Sequence, residues 1–369
     1  MHSMLISPQM WLALSLLALP PSLFAAQDVA PSAARDAAKT TTPQPGIEHY
    51  RLQENSDVIG QVQTTTARHD DTLIDIGRRY GIGYEEMRRA NPEVSVWLPG
   101  EGTEIVIPTH FILPPGPREG IVVNVAEMRL YYYPPTKEGE APEVETYPVS
   151  VGRMDWKTPL GETTITAKAK DPAWYPPASI IKEHAEEGRP LGRVVPPGPD
   201  NPLGRHALRL NIPGYLIHGT NRPGGVGMRV THGCIRMLPE DIDSLFSRLP
   251  VGTKVRLINS PLKVGWSQSG ILHVQAYPSM EESDDTSIKR IDEAFTAVSN
   301  VVKGQQYPVD FARLKRVTEN ATGMTEPLVL VEQPFETIER KPNDPLYDNL
   351  ELLESIYSRL DTGMATDDA

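Results

Sequence analysis

The chain has 369 residues, which at roughly 150 residues per domain is enough for two or three domains. Hydrophobic residues make up 39% and charged residues 23%, a globular balance that excludes fibrous and wholly disordered proteins. The net charge of −12 argues against a non-specific nucleic-acid binder, so no nucleic-acid partner is expected. The 36 prolines are about twice the usual share and favour short strands, turns and linkers over an all-helical fold. A single cysteine excludes both an intrachain disulfide and a Cys-rich zinc site.

The first residues have the pattern of an export signal. The apolar run Met10–Leu19 is too short for a membrane span, which needs about 20 residues, but it has the length of a signal-peptide core. Small residues then allow cleavage after Ala25 or Ala26. No Lys or Arg precedes the run, so a buried core segment or a misplaced start codon is the alternative. We expect residues 1–26 to be a signal peptide and residues 27–61 a linker and N-terminal segment, with a flexible Ala/Thr/Pro-rich part.

A small module is predicted at residues 62–109. The apolar spacing within Asp70–Ala90 predicts two short helices, the first capped by Asp71 or Thr72. A β-like stretch, Ile105–Ile107, ends the unit before a proline. The pattern therefore predicts a strand–helix–helix–strand arrangement.

This module resembles a LysM domain in three stretches, DTLIDIGRRYG, RRANP and IVIP. The resemblance implies binding to glycans that contain N-acetylglucosamine, such as peptidoglycan. The alternative is a packing domain without sugar binding. Glu101 and Glu104 favour that alternative, because they lie near the positions where glycan contacts are expected.

The central domain is predicted at residues 118–259, where short β-rich stretches alternate with Pro/Gly-rich loops. Ile121–Pro134, with a polar turn at Ala126 and Glu127, predicts a hairpin. The further predicted strands are Val144–Val151, Thr163–Ala169, Ala207–Leu210, Tyr215–His218 and Lys254–Ile258. The predicted helices are Ile180–Glu187 and Glu240–Leu249, the second starting after Pro239 with Ile242, Leu245, Phe246 and Leu249 on one face. Many short strands and few helices predict an α+β fold, mainly β, with a β-sandwich-like central domain.

Residues 260–369 are predicted to form a hairpin and a helical extension. The hairpin is expected at Val264–Pro278, and a second helix near Asp310–Ala321 follows a first one. The first helix, capped by Ser283, Asp284 or Asp285 and ended by Gly304, has a stripe of Ile288, Ile291, Phe295, Val298 and Val302. A third helix is expected to start at Asp344. We expect these helices to pack on the catalytic domain; the alternative is a partner-binding or substrate-gating element.

The residues that can carry chemistry cluster around the only cysteine, Cys234. His218 lies sixteen residues upstream and His232 two residues upstream, and Gly224, Gly225 and Gly227 lie in the same stretch. A cysteine nucleophile needs a base, because a free thiol is only a few per cent ionised at neutral pH. His218 ends a β-like run, and in an extended segment His232 and Cys234 share a face, so spacing leaves either histidine open as the base.

Three other interpretations of Cys234 are possible from its residue type alone. A buried, inert thiol is the usual fate of a lone cysteine. A Cys/His₂ metal site lacks a fourth ligand nearby, so no metal is expected. Residues typical of papain-like or caspase-like proteases do not flank this cysteine.

The stretch HGTNRPGGVGMRVTHGCIRM resembles the L,D-transpeptidases of the YkuD type, in which a His-Gly precedes Ser/Thr-His-Gly-Cys-hydrophobic-Arg. Thr231 stands where many members have Ser and keeps the hydroxyl. The resemblance runs from about Val62 to Gln275, and similar proteins are periplasmic enzymes that pair a LysM module with this catalytic domain. It therefore implies a periplasmic location.

The resemblance implies that Cys234 is the nucleophile and His218 the general base. The His218 ring would be oriented by Gly219, Thr220 or nearby backbone. Backbone N–H groups of His232, Gly233 and Cys234 would stabilise the oxyanion. Arg236 would bind a stem-peptide carboxylate or form a structural salt bridge, and Gly219 and Thr231 are further candidates for substrate contact.

The implied reaction needs no cofactor. Cys234 attacks the meso-diaminopimelate carbonyl of a peptidoglycan tetrapeptide stem and expels D-Ala. An amine of another stem, or a lysine of an outer-membrane lipoprotein, then resolves the thioester. Carbapenems are expected to acylate the same cysteine. The alternatives are a hydrolase on the same scaffold and a peptidoglycan-binding protein without catalysis.

Overall fold

The computed structural model describes residues 48–153, 156–279 and 287–330. The predicted signal peptide, the predicted flexible linker, the predicted cap at Ser283, Asp284 or Asp285 and the predicted third C-terminal helix lie outside these residues. Within them, no helix is both long and apolar enough to cross a membrane.

Residues before the central domain form paired strands around two short helices. The elements are β1 (Glu48–Arg51), β2 (Val58–Gly60), β3 (Gln63–Thr66), α1 (Leu73–Arg79), α2 (Tyr84–Ala90), β4 (Glu104–Ile107) and β5 (His110–Ile112). β3 pairs antiparallel with β4, and α1 and α2 lie between these two strands in the chain, as predicted. Thr72 caps α1 in a reciprocal capping box with Asp75. β1 and β2 were not predicted.

The central domain is a sheet that closes on itself. Its elements are β6 (Gly120–Asn124), β7 (Arg129–Tyr133), β8 (Glu143–Gly152), β9 (Gly161–Lys170), α3 (Ala178–Glu186), β10 (His206–Leu210), β11 (Leu216–His218), β12 (Arg229–Thr231), β13 (Ile235–Met237), α4 (Pro239–Arg248) and β14 (Lys254–Ile258). The ring runs β8-β13-β11-β10-β9-β14-β6-β7 and returns to β8. β8 is long enough to pair with β7 in its middle and with β13 and β12 near its end. The prediction of an α+β, mainly β fold is confirmed; the closure of the sheet was not predicted.

The interior of the closed sheet is apolar, and α4 covers part of it. Ile242, Leu245 and Leu249 are buried in this core, and Phe246 packs against it. Pro239 occupies the first turn of α4. The predicted apolar stripe of this helix is therefore confirmed.

The N-terminal module packs on the central sheet through a shared core. Apolar side chains of α1, α2 and β4 are buried together with Val122, Tyr131 and Val144 of the sheet. A buried ion pair crosses the same boundary, with Arg129 Nη2 2.8 Å from Glu86 Oε2 and both side chains at most 6% exposed. The module and the sheet thus share one packed interior.

The C-terminal part forms a layer with its own core. Its elements are β15 (Leu262–Trp266), β16 (Leu272–Ala276), α5 (Ser287–Val302), α6 (Phe311–Asn320) and β17 (Thr325–Pro327). β15 and β16 confirm the predicted hairpin, and Asp310 caps α6. The buried faces of α5 and α6 lie against this three-stranded sheet, which corrects the expectation that they pack directly on the catalytic domain. Ile288 is 80% exposed and does not join the predicted stripe, because it lies in the first turn of α5.

A buried ion pair joins this layer to the rest of the fold. Lys263 Nζ lies 2.6 Å from Glu127 Oε2 and 2.6 Å from the carbonyl oxygen of Ile112, with both charged side chains at most 1% exposed. The turn at Ala126 and Glu127, predicted as polar, is therefore buried, and Lys263 neutralises its carboxylate.

We expect Lys263→Met to lower the free energy of unfolding by about 3–5 kcal/mol, because it leaves the buried Glu127 carboxylate without its cation. Urea denaturation followed by circular dichroism measures this change. Lys254→Met is the matched control, because the ion pair of Lys254 with Glu119 is exposed, and its cost should stay below about 1 kcal/mol. Equal losses in the two variants would contradict the prediction.

Candidate active site

Cys234 lies immediately before β13, next to β11, which ends at His218. The two strands are parallel, with Ile217 opposite Ile235 and His218 opposite Arg236. Residues directly opposite one another, and residues two apart on a strand, lie on the same face of a sheet. The fold therefore brings Cys234, Arg236 and His218 to one face.

The imidazole of His218 is buried and held by backbone. Its Nδ1 lies 2.7 Å from the carbonyl oxygen of Gly219. A carbonyl oxygen can only accept, so Nδ1 carries the proton of the neutral ring and Nε2 keeps the lone pair. Burial and the positive charge of Arg236 lower the pKa of His218 to about 4, against the opposing effect of the Gly219 and Leu203 carbonyls. His218 is therefore neutral at pH 7.

The thiol of Cys234 is also neutral at rest. Burial raises its pKa above the ordinary value, although the backbone of Leu216 and the charge of Arg236 act in the opposite direction. Its Sγ lies 3.6 Å from the carbonyl oxygen of Gly214. Cys234 and His218 are thus both neutral at rest, so a proton has to leave the thiol during any attack.

Gly233 turns the chain between His232 and Cys234. Its φ is +100°, in the region that favours glycine, and a Cβ built there would lie 2.7 Å from Cε1 of Tyr215. The segment is therefore bent, which corrects the expectation that His232 and Cys234 share a face in an extended stretch.

Two threonine hydroxyls fix this turn. Thr231 Oγ1 donates to the carbonyl oxygen of Cys234 at 2.6 Å and accepts the N–H of Gly233 at 3.2 Å. Thr158 Oγ1 donates to the carbonyl oxygen of Gly233 at 2.9 Å and accepts the N–H of Gly152 at 3.0 Å. The N–H of Gly233, expected to be an oxyanion donor, is therefore engaged inside the turn in this structure.

The ring of His232 contacts Glu183 and Trp156, two partners that were not predicted from the sequence. Its Nε2 lies 2.7 Å from Oε2 of Glu183 on α3, and the ring packs edge-on against Trp156 at 5.2 Å between centroids. Glu183 also binds Arg153 at 2.5 Å, and these hydrogen bonds lower the pKa of its carboxyl. Glu183 is separated from His232 by 49 positions, so no local pattern connects the two residues.

Arg236 brings a positive charge to the face that carries Cys234. Its Nε is buried and has no hydrogen-bond acceptor among the residues that the structure describes. Burial and the positive charge of Arg222 lower the pKa of Arg236. Among the described residues no carboxylate pairs with Arg236 or Arg222, and two such arginines favour binding of an anionic group.

A metal has no evident site in the described ranges: within them, no group of three or more His, Cys, Asp and Glu side chains is arranged to hold one.

The comparisons with known proteins agree on one family. Residues 118–257 match the YkuD family profile, described as an L,D-transpeptidase catalytic domain. "Probable L,D-transpeptidase YcfS" of Escherichia coli K12 is 41% identical over 235 residues, 62% of this chain and 72% of that protein. "Probable L,D-transpeptidase ErfK/SrfK" of Salmonella typhimurium LT2 is 40% identical over 291 residues, 75% of this chain and 92% of that protein.

Among solved structures, an L,D-transpeptidase from Mycobacterium smegmatis is 18% identical, with a TM-score of 0.30 over 55% of this chain and 99% of that one. The relatives from Escherichia coli and Salmonella are much closer in sequence and are matched over most of their length. The chain therefore belongs to the YkuD family of L,D-transpeptidases, as its His-Gly and Thr-His-Gly-Cys motifs predicted.

Proposed function

We propose that this protein is an L,D-transpeptidase of peptidoglycan, with Cys234 as the nucleophile and His218 as the general base. The observation that carries the assignment is the placement of both residues on one face, together with the Nδ1 contact of His218 that leaves Nε2 able to accept a proton. His232, the other candidate base, is engaged by Glu183 instead.

In the first half-reaction, Cys234 Sγ attacks the carbonyl carbon of meso-diaminopimelate in a tetrapeptide stem while His218 Nε2 takes the thiol proton. Collapse of the tetrahedral intermediate breaks the bond to D-Ala, whose nitrogen receives that proton. The products are a thioester on Cys234 and free D-Ala. In the second half-reaction an amine attacks the thioester, forms a new amide and returns the proton to Cys234.

The turn around Gly233 supplies the oxyanion donors in this proposal. Backbone N–H groups of His232 and Cys234 serve directly, whereas that of Gly233 has to leave the hydroxyl of Thr231 before it can join them. Thr231 and Gly219 were candidates for substrate contact. Both are buried, so we assign them to positioning: Thr231 holds the turn and Gly219 holds the His218 ring.

Arg236 and Arg222 bind a carboxylate of the donor stem. A stem peptide carries free carboxylates next to the bond that Cys234 attacks, and the buried Nε of Arg236 lacks an acceptor within the described residues. Binding a carboxylate there satisfies that donor and offsets the repulsion between the two arginines.

The remaining proposals concern location and partners. The module at residues 62–109 is a LysM-like glycan-binding domain, and residues 1–26 export the protein to the periplasm, where peptidoglycan lies. The acceptor is the amine of another stem or a lysine of a lipoprotein. Carbapenems acylate Cys234, because they present a strained carbonyl to the same nucleophile.

Mass spectrometry of the purified protein mixed with a disaccharide-tetrapeptide tests the function. A protein adduct equal to the donor minus D-Ala, together with a cross-linked dimer, is the expected result. Adduct with tripeptide as the only product would identify a hydrolase, because water then resolves the thioester. Absence of an adduct with both the donor and a carbapenem would favour a peptidoglycan-binding protein without catalysis.

A further inference from the structure

The N-terminal module contacts the chain segment that joins the two proposed catalytic residues. We name residues 219–231, which run from His218 to the turn at Gly233, the connecting segment. The N–H of Tyr84 donates to the carbonyl oxygen of Val226 at 3.1 Å, and the N–H of Glu85 donates to that of Gly227 at 3.2 Å. Both donors lie in the first turn of α2, whose N–H groups have no acceptor within the helix.

This contact requires two glycines that approach each other backbone to backbone. A Cβ on Gly227 would lie 2.4 Å from the nitrogen of Tyr84, and its φ is +88°. A Cβ on Gly83 would lie 2.9 Å from Cα of Gly227. Any side chain at either position would separate α2 from the connecting segment.

The connecting segment transmits this contact to the site. Its last residues form β12, which pairs with the end of β8 and leads into Thr231, whose hydroxyl fixes the turn. Ser150 of β8 donates its hydroxyl to the carbonyl oxygen of Gly225 at 2.8 Å and lies opposite Arg236 in β13. A displacement at Gly227 therefore reaches both the turn and Arg236.

Ion pairs hold α1 and α2 in this position. Glu86 accepts the N–H of Gly83 at 2.9 Å and pairs with the buried Arg129 of β7. Arg78 of α1 pairs with Glu240 of α4 at 2.6 Å. The start of α2 is thus anchored to the central sheet independently of the connecting segment, so it can support that segment.

We propose that the N-terminal module is a positioning element of the active site: the first two N–H groups of α2 hold the connecting segment in the conformation that Cys234 needs for acylation. The proposal rests on the proposed function for the chemistry, and the contact itself is independent of it. It assigns the module a role in the transfer reaction in addition to any role in glycan binding.

Tyr84→Pro compared with Tyr84→Ala isolates this contact. Proline is well tolerated at the first position of a helix, and the φ of −78° and ψ of 165° at Gly83 suit a residue before proline. The proline variant therefore replaces the N–H that reaches Val226 with a ring Cδ that pushes against the same carbonyl oxygen, whereas the alanine variant removes only the side chain. A second pair is Gly83→Ala, which forces the contact apart, and Gly225→Ala, whose Cβ would meet nothing within 4 Å.

Two rates are measured on each variant, with the melting temperature as a check of folding. Acylation of Cys234 by a carbapenem should slow by about tenfold in Tyr84→Pro and Gly83→Ala and stay within about twofold of wild type in the two controls. Alkylation of Cys234 by iodoacetamide should become about threefold faster in Tyr84→Pro, because a loosened segment exposes the thiol.

The opposite changes in the two rates distinguish positioning from general destabilisation, which would alter both rates together with the melting temperature. If Tyr84→Pro matches Tyr84→Ala in both rates, the proposal is wrong even though the transpeptidase assignment stands. If wild type forms an adduct with neither the carbapenem nor the donor stem, that assignment fails, and the alkylation rates alone decide whether α2 holds the segment.

Discussion

Replacing Cys234 with alanine will abolish the adduct with the donor stem and lower release of D-Ala by about 10⁴-fold or more, because the chain contains no other thiol. Cys234→Ser should lose almost as much, since the neutral His218 is a weak base for a hydroxyl that ionises far less readily than a thiol. D-Ala release by coupled assay and intact mass of the protein measure both effects.

Two further measurements test whether the loss in the Cys234→Ala variant comes from the missing thiol alone. The alanine variant should still bind the donor, because Arg236 and Arg222 are unchanged, and equilibrium dialysis with labelled tetrapeptide checks this. Val230→Ala, at a 41% exposed position of β12, is the control and should keep its activity. D-Ala release near the wild-type rate by the Cys234→Ala variant would eliminate thioester chemistry for this protein.

The parts of the fold that were predictable from sequence are those set by local patterns. β14 was predicted at Lys254–Ile258, which are its observed bounds. Polar Lys254 and Arg256 alternate with apolar Val255 and Leu257, and the buried positions alternate in the same way. Thr72 three residues before Asp75 indicates a helix start without any tertiary information. The family motif likewise pointed to His218 and Cys234, and the strand register sets His218 opposite Arg236, two residues from Cys234.

The features that were not predicted depend on contacts between distant residues. Closure of the sheet needs β7 and β8 to pair while β8 also pairs with β13, and no single strand carries that information. The contact of Glu183 with His232 spans 49 positions, and its residues lie in unrelated segments. Gly233 is visible in the sequence, but the positive φ that separates the faces of His232 and Cys234 is not.

A thiol and an imidazole that are both neutral at rest predict a distinct pH dependence of acylation. Acylation by general-base catalysis requires unprotonated His218, and burial with the Arg236 charge lowers the pKa of His218 to about 4. The acylation rate of wild type should therefore be flat from about pH 5 to pH 8 and fall to half near pH 4. A preformed thiolate–imidazolium pair would instead lose rate as the pH falls through the pKa of its thiolate, because only the thiolate attacks.

His218→Ala should slow acylation by about 10³-fold at pH 7, within the usual range for loss of a general base. Without the base, attack depends on the small thiolate fraction, and the raised pKa of Cys234 makes that fraction grow about tenfold per pH unit up to at least pH 8. The variant should therefore approach wild type as the pH rises. Stopped-flow acylation by a carbapenem between pH 4 and pH 9 measures both profiles.

The two pH profiles measure the acylation step only if the protein stays folded from pH 4 to pH 9. The lowered pKa of His218 means that the unfolded chain binds more protons than the folded one between about pH 6.5 and pH 4, so stability falls as the pH falls through that window. Circular dichroism at each pH monitors this loss. His69→Ala, at an exposed histidine, is the matched control and should keep the wild-type profile. A wild-type rate that halves near pH 6.5 while the protein remains folded would contradict a lowered pKa of His218, because His218 would then titrate like a histidine in water.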